Sequence, residues 1–466
     1  MHSLALRTPV LHGLTPKYLV NPDDMSTTDL RKNIRSIYNA ALRAVDPQVA
    51  IQRYVQRDRN LLIIDGITYD LNRFKRCFVI GAGKASAIMA SAIEAIIGDH
   101  LEGGLVIVKV GHTMPLQHLE LIEAQHPIPD NTGLQGTKNI IKILNNLKED
   151  DLVLCLFSGG GSALMPLPVD GVTLAEKQVV TERLISCGAT INEINTIRKH
   201  ISLVKGGRLA QLASPGHLVS LILSDVIGDP LEVISSGPTV SDETTYFDCR
   251  AILDKYKLHE TLPASVINHL ARGLKGLEDE TPTSEDPIFN RTQNVIIANN
   301  RQALDAARVE AIKMGYHTLV LSSSIDGETR EVAQVYSAIA REIRLHGDPI
   351  RAPACIISGG ETTVKVKGEG KGGRNQEFVL ATVSGIADLE DTVVFSAGTD
   401  GTDGPTDAAG AIADGQTKAR AADINLDFDT FLNNNDAYNF FQPLGDLVLT
   451  GPTHTNVMDL RLLLVG

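Results

Sequence analysis

The chain has 466 residues, enough for two or three domains, and 43% of them are hydrophobic, as expected of a globular protein with large cores. No apolar run approaches the ~20 residues of a membrane span, so we expect no membrane segment. Lys and Arg number 43 and Asp and Glu 56, a net charge of −13, which argues against nucleic-acid binding because that usually needs a basic patch.

The five cysteines show no CxxC spacing. We therefore predict reduced thiols in a cytoplasmic protein, and no zinc site.

Residues 1–25 are predicted to be an N-terminal extension. A helix is predicted to begin after the capping residues 26–28, because Leu30, Ile34 and Ile37 recur at helical spacing, and to end at Asp46 and Pro47.

Continuously apolar strands alternate with helices through the first half of the chain. The strands are predicted at residues 77–80, 104–110, 151–157 and 217–223. Strands of this kind indicate an α/β domain with a parallel sheet covered on both faces. In such sheets ligands bind at the carboxyl ends of the strands, which is where the glycine motifs of this chain fall.

A polar, turn-rich stretch at about 275–292 predicts a domain boundary. Strand-like runs then recur at 294–298, 318–322, 354–358 and 392–396. We therefore predict a first domain over residues 26–280 and a smaller α/β domain over residues 290–466.

Two glycine motifs follow strands of the first domain. In Gly81-Ala82-Gly83-Lys84 the spacing fits neither a Walker A loop nor a dinucleotide fingerprint. A strand–Gly–helix junction nevertheless favours anion binding by Gly83 and Lys84, the alternative being a solvated lysine in a tight turn. The second motif predicts a nest for phosphate or carboxylate, formed by Ser158, Gly159, Gly160, Gly161 and Ser162.

Asp225 ends the strand at 217–223, where a carboxylate is either a general base for a hydroxyl or a helix cap. Lys205 belongs to a basic run that is either a solvated face or part of an anion site.

The second domain contains a cationic and an acidic glycine loop. The first contains Gly359, Gly360, Glu361 and Arg374, with glycines that let a backbone approach a ligand and an arginine suited to oxyanions. In the second loop, at 398–407, Asp400 and Asp403 suit Mg²⁺, which takes one or two carboxylates plus phosphate and water. The alternative is that both segments are simply turns.

These motifs resemble the glycerate 2-kinases of the MOFRL-domain group, from about residue 30 to the C-terminus. The matching segments are VIGAGKAS, FSGGGSAL, LSDVIGDP, GKGGRNQEF and SAGTDGTDGPTDAAGA. The resemblance implies a Rossmann-like domain, a smaller MOFRL domain and an active site in the cleft between them. It also implies transfer of the γ-phosphoryl group of ATP to the 2-hydroxyl of D-glycerate with Mg²⁺.

The family's key lysine and arginine correspond to Lys84 and Arg374. We further hypothesise that these two face each other across the cleft, that Asp225 takes the hydroxyl proton, and that Asp400 and Asp403 hold Mg²⁺.

An NAD(P)H-dependent hydroxypyruvate reductase is the alternative enzyme, but the acidic residue expected to bind ribose is at best Glu102. A non-catalytic metabolite sensor is a third interpretation, and a homodimer is the default oligomer.

Overall fold

The computed structural model describes residues 26–466, so the predicted N-terminal extension lies outside the described residues. Helix α1 (Thr27–Ala44) confirms the first predicted helix, and the Ser26 hydroxyl accepts a hydrogen bond from the Asp29 N–H at 3.4 Å. Helix α2 (Pro47–Tyr54) follows at once, with proline at its first position and Asp46 as its cap. A small antiparallel sheet then consists of β1 (Val55–Asp58), β2 (Leu61–Ile64) and β3 (Ile67–Asp70).

The first large sheet has six strands, all parallel. They are β4 (Arg76–Ala82), β5 (Leu101–Lys109), β6 (Glu120–Ala124), β7 (Asp151–Phe157), β8 (His217–Leu223) and β9 (Thr292–Ala298). Their spatial order is β6-β5-β4-β7-β8-β9, the doubly wound order of Rossmann-like domains. The strand order reverses between β4 and β7, and this is where such sheets bind ligands.

Eight helices accompany this sheet. They are α3 (Ser86–Ile97), α4 (Asn131–Leu144), α5 (Gly161–Leu164), α6 (Leu174–Ser186), α7 (Ile191–His200), α8 (Arg208–Ala213), α9 (Tyr246–Tyr256) and α10 (Ala264–Gly273). Helices α6, α7, α9 and α10 pack around a small core of their own, built on residues such as Val180, Ile197 and Leu253.

The second large sheet is mixed, because only β10 and β11 pair in parallel. Its strands are β10 (His317–Ile325), β11 (Ala354–Gly360), β12 (Thr392–Gly398), β13 (Gly410–Asp414), β14 (Leu447–Val448) and β15 (Asp459–Val465). Its helices are α11 (Asn300–Lys313), α12 (Thr329–His346), α13 (Arg374–Thr382), α14 (Thr417–Asp423), α15 (Phe428–Asn433) and α16 (Ala437–Phe441). The C-terminal strand β15 lies in the middle of the sheet, between β11 and β12.

The predicted fold class, two α/β domains, is confirmed. Two elements, however, pack with the sheet of the other domain and not with the sheet of the domain to which we assigned them from the sequence. Strand β9, which we placed in the second domain, pairs in parallel with β8 in the first sheet. Helix α1, which we placed in the first domain, packs on α11 and the second sheet. There the Tyr38 hydroxyl donates to the Gly398 carbonyl at 2.7 Å, and the Arg31 guanidinium donates to Asp414 and Asp446.

One continuous apolar core joins a face of the first sheet to a face of the second. It runs from Val79 and Leu156 through Ile37 of α1 to Phe395 and Leu462. This shared core links the two sheets, and the polar ends of β4 and β7 face the end of β12. Among residues 26–466, no helix combines the length and apolar character needed to cross a membrane.

Candidate active site

A cavity of about 140 Å³ lies between the two sheets, at the carboxyl ends of β4, β5 and β7. Residues of both domains line it. Those of the first domain are Lys84, Ala85, Lys109, His112, Ser158, Gly159 and Leu223, and those of the second are Asp400, Thr402, Pro452, His454, Thr455 and Asn456. The cavity thus has a cationic wall and a wall that carries a carboxylate.

The two glycine motifs of the first domain pack against each other beside this cavity. The Lys84 N–H donates to the Gly159 carbonyl at 2.9 Å, and the Ala85 N–H donates to the Ser158 hydroxyl at 3.0 Å. Gly83 has φ of +150°, and a Cβ there would collide with Ser158, so the turn requires glycine. The interlocked turns place the Lys84 side chain in the cavity.

The Asp225 carboxylate follows β8 and lies against the backbone of Gly159, where a Cβ would collide with it. The Asn456 amide of the second domain donates to it at 3.4 Å. Burial raises the pKa of Asp225 to about 6, with further raising by Glu361 and Asp400 and opposition from Lys84. A carboxylate with this pKa beside a lysine suits a general base.

The remainder of the Ser158–Ser162 loop does not line the cavity. Gly160 has φ of +87° and adjoins the His126 ring, and Gly161 begins the short helix α5. The Ser162 hydroxyl accepts a hydrogen bond from the Arg198 guanidinium, and Lys205 is fully buried. Ser162 and Lys205 therefore lie in a neighbouring polar region and not in the cavity itself.

Arg374 is the first residue of α13 and is held by two carboxylates. Its Nε and second terminal nitrogen donate to Asp459 at 2.7 and 2.9 Å, and its other terminal nitrogen donates to Glu361 at 2.7 Å. These carboxylates raise the pKa of Arg374, against the effect of burial. Lys84 and Arg374 do not contact each other, but both lower the pKa of Glu361, whose burial raises it. Glu361 therefore contacts Arg374 and lies within electrostatic range of Lys84.

The structure separates the two acids that we predicted to bind a metal. Asp400 lines the cavity, whereas Asp403 is buried at the N-terminus of α13. The Asp403 carboxylate accepts hydrogen bonds from both the backbone and the side-chain amides of Asn375 and Gln376, at 2.8 to 3.3 Å. Because it already accepts four hydrogen bonds, the Asp403 carboxylate has little capacity left to bind a cation. Its contacts instead orient helix α13. The structure therefore does not bring Asp400 and Asp403 together as the predicted metal-binding pair.

No group of three or more His, Cys, Asp or Glu residues that could hold a metal ion occurs within residues 26–466. Mg²⁺, however, is commonly held by one or two carboxylates together with substrate phosphates and water. Asp400 in the cavity fits that requirement.

Gly359 and Gly360 lie inside β11, paired with Leu460 and Asp459 of β15. A Cβ at Gly359 would collide with Asn300, and one at Gly360 with the Ile325 carbonyl. Close packing thus explains both glycines, which lie in the strand and not in a phosphate-binding loop.

Sequence reasoning missed several residues of the site. Lys109 ends β5, so the rule that ligands bind at the carboxyl ends of parallel strands could have found it. His112 and Asn456 come from irregular segments with no such signal. Asp459 begins β15, a strand that the sequence analysis did not identify.

A domain of unknown function, DUF4147, matches residues 33–271, and the MOFRL family matches residues 354–459. The chain is 40% identical to a Pyrococcus horikoshii protein named glycerate 2-kinase, over 95% of this chain and 98% of that protein. It is also 40% identical to an Agrobacterium vitis protein provisionally named a hydroxypyruvate reductase, over 94% of each. The solved structure of a glycerate kinase from Thermotoga maritima superposes with a TM-score of 0.85 at 38% identity, covering 94% of this chain and 100% of that one.

Proposed function

The chain belongs to the glycerate 2-kinase family with a MOFRL domain, and from that premise we propose that it phosphorylates D-glycerate at the 2-hydroxyl with ATP. The products are 2-phosphoglycerate and ADP. The observation that carries the proposal is the cavity lined by Lys84 of the first domain and Asp400 of the second, with the buried Asp225 carboxylate against its lining residues Gly159 and Asn456. The Glu361–Arg374 pair lies close enough for Lys84 to lower the pKa of Glu361. Phosphoryl transfer is catalysed mainly by positioning and charge neutralisation, which such a set of residues supplies.

Asp225 accepts the proton of the attacking hydroxyl. Burial raises its pKa to about 6 against the opposing charge of Lys84, so the group is mostly protonated below that pH and mostly ionised above it. Lys84 neutralises the transferred phosphoryl group, and Gly83, Ser158 and Gly159 fix the backbone from which it projects.

Arg374 acts from the second domain. Asp459 holds its guanidinium in a bidentate contact, so its orientation is set before any ligand binds. The Arg374–Glu361 pair is partly exposed, so the phosphoryl group in transfer can take the place of the Glu361 carboxylate on the guanidinium. Closing of the cleft would bring it towards Lys84.

Asp400 would hold Mg²⁺ together with phosphate oxygens of the nucleotide. The ion would supply neutralisation of the negative charge on the nucleotide's phosphates. The cytoplasmic location, the homodimer and the exact domain bounds stay predictions.

Incubation of the purified protein with ATP, Mg²⁺ and D-glycerate tests the proposal, with ADP release followed and the product identified by phosphorus NMR. We expect 2-phosphoglycerate, and L-glycerate serves as the matched control acceptor. A 3-phosphoglycerate signal would refute the position of transfer. Consumption of NADH with hydroxypyruvate, without any phosphoglycerate, would establish the reductase instead.

A further inference from the structure

Three cationic side chains lie together in the first domain, next to the active-site cavity. They are Lys177 on α6, Arg198 on α7 and Lys205 just before α8. Lys177 is 4% exposed and Lys205 fully buried, and within residues 26–466 no carboxylate forms an ion pair with any of the three. Burying like charges together without an acid is costly, and proteins seldom do so without a ligand.

Several donors of this cluster have no acceptor. Lys177 Nζ, Arg198 Nε and the Ser235 hydroxyl make no hydrogen bond within the described part of the chain. Lys205 Nζ donates only to the Ser235 carbonyl, at 3.3 Å. Ser235 itself has φ of +52°, an uncommon conformation for a residue with a side chain. The unused donors are those that an oxyanion would accept from.

The cluster adjoins the catalytic strands. Arg198 donates to Ser162 in the loop after β7, and a Cβ on Gly161 would collide with both the Ser235 hydroxyl and the Ala82 carbonyl. Ala82 ends β4, two residues before Lys84. Arg198 is the most exposed of the three cationic residues.

We propose that Lys177, Arg198, Lys205 and Ser235 bind an oxyanion of one of the two reactants, either the acceptor's carboxylate or a phosphate of the nucleotide. The proposal rests on the kinase function proposed above. In the ligand-free protein, burial and mutual repulsion lower the pKa of Lys177 to about 7 and that of Lys205 well below its usual value. A bound oxyanion offsets both effects through its opposite charge and keeps the lysines charged.

Two substitutions of equally buried lysines test the site. Lys177→Met removes an unpaired cation, whereas Lys199→Met, the control, breaks the ion pair of Lys199 with Asp242 at 3.1 Å. We measure thermal unfolding of the ligand-free proteins, and dissociation constants for D-glycerate and for ATP by calorimetry without turnover. We expect Lys177→Met to raise the unfolding temperature and to weaken binding of one reactant at least tenfold. Lys199→Met should lower the unfolding temperature and leave both dissociation constants within twofold.

Weakened D-glycerate binding identifies the oxyanion as the carboxylate, and weakened ATP binding identifies it as a phosphate. Unchanged affinity for both reactants, or a lower unfolding temperature for Lys177→Met, overturns the proposal, because the lysine is then structural. If the wild-type protein binds D-glycerate but forms no 2-phosphoglycerate, the kinase function is refuted. The affinity of Lys177→Met for the two reactants still shows in that case whether the cluster binds an oxyanion.

Discussion

In the second domain the guanidinium of Arg374 is held by the carboxylates of Asp459 and Glu361, whereas in the first domain Lys177, Arg198 and Lys205 lie together without any acid partner among the described residues. Both regions adjoin the same cleft. The first arrangement compensates charge within the protein, and the second leaves that compensation to a ligand. The contrast teaches that a cation paired within the protein is fixed in place, whereas an unpaired buried cation weakens the fold unless a ligand compensates its charge.

Lys84 lies in the cavity, on the first domain's side of the cleft. Its charge lowers the pKa of Glu361 in the second domain. In the first domain it adds to burial, the main cause that lowers the pKa of His126 to about 4. The charge of Lys84 therefore acts on residues of both domains.

We expect the largest effect from Lys84→Ala, a fall in kcat of about a thousandfold, the typical cost of removing one preorganised electrostatic stabiliser of a transition state. Initial rates of ADP release at saturating substrates measure it. Lys75→Ala is the control, because Lys75 is an exposed lysine just before the opposite end of β4, paired with Asp150 at 2.5 Å. Turnover within a few-fold of the wild type for Lys84→Ala would remove Lys84 from the mechanism.

Arg374→Ala should lower kcat by about a hundredfold and change the KM for D-glycerate little, if the preorganised cation acts on the transition state. Steady-state kinetics separate the two parameters. Arg330→Ala provides a matched control, since Arg330 forms a similar ion pair with Glu377 at 2.7 Å in the same domain, away from the cavity lining. A raised KM with unchanged kcat would make Arg374 a ground-state binding residue instead.

Asp459→Asn should lower the free energy of unfolding by about 3 kcal/mol, the lower end of the cost of breaking a buried ion pair. The carboxylate is fully buried and also accepts from Arg461 at 3.1 Å, but the Arg374 side chain is 32% exposed, which moderates the loss. Urea denaturation measures the change. Asp150→Asn is the control, because the ion pair of Asp150 with Lys75 is more exposed, and it should leave the free energy of unfolding unaltered. An equal loss of stability in both variants would show that burial does not determine the cost of breaking the pair.

Much of the first domain's site followed from sequence, because a parallel sheet brings the carboxyl ends of its strands to one edge. Lys84, Ser158 and Asp225 each follow such a strand and do meet at the cleft. Knowing the strands was enough to bring these residues together.

The part of the site in the second domain was harder to predict from the sequence, because it depends on pairing between strands that are far apart in the chain. Asp459 comes from the last strand of the chain, which inserts antiparallel between β11 and β12. Asp403 occurs in a Gly/Thr loop that suits either a metal ligand or a helix cap, and only the packing of α13 above it decides between them. Likewise, the apolar pattern of β9 predicts a buried strand but does not say which sheet it joins.

The smallest effect, and the one that links the two domains, is the pH dependence of Asp225. Its pKa of about 6 results from burial, reinforced by Glu361 and Asp400 across the cleft, so kcat/KM should fall about tenfold per pH unit below pH 6 as the free enzyme's base is protonated.

The same pKa predicts how stability depends on pH. A carboxyl group whose pKa is raised by folding stabilises the fold below its unfolded pKa of about 4, and that contribution is lost as the pH rises through about 6. The stability of Asp225→Asn relative to the wild type should therefore increase from pH 4 to pH 7, as measured by thermal unfolding across that range. A stability difference that does not change with pH would show that Asp225 keeps an ordinary pKa, and that the two domains do not combine to tune it.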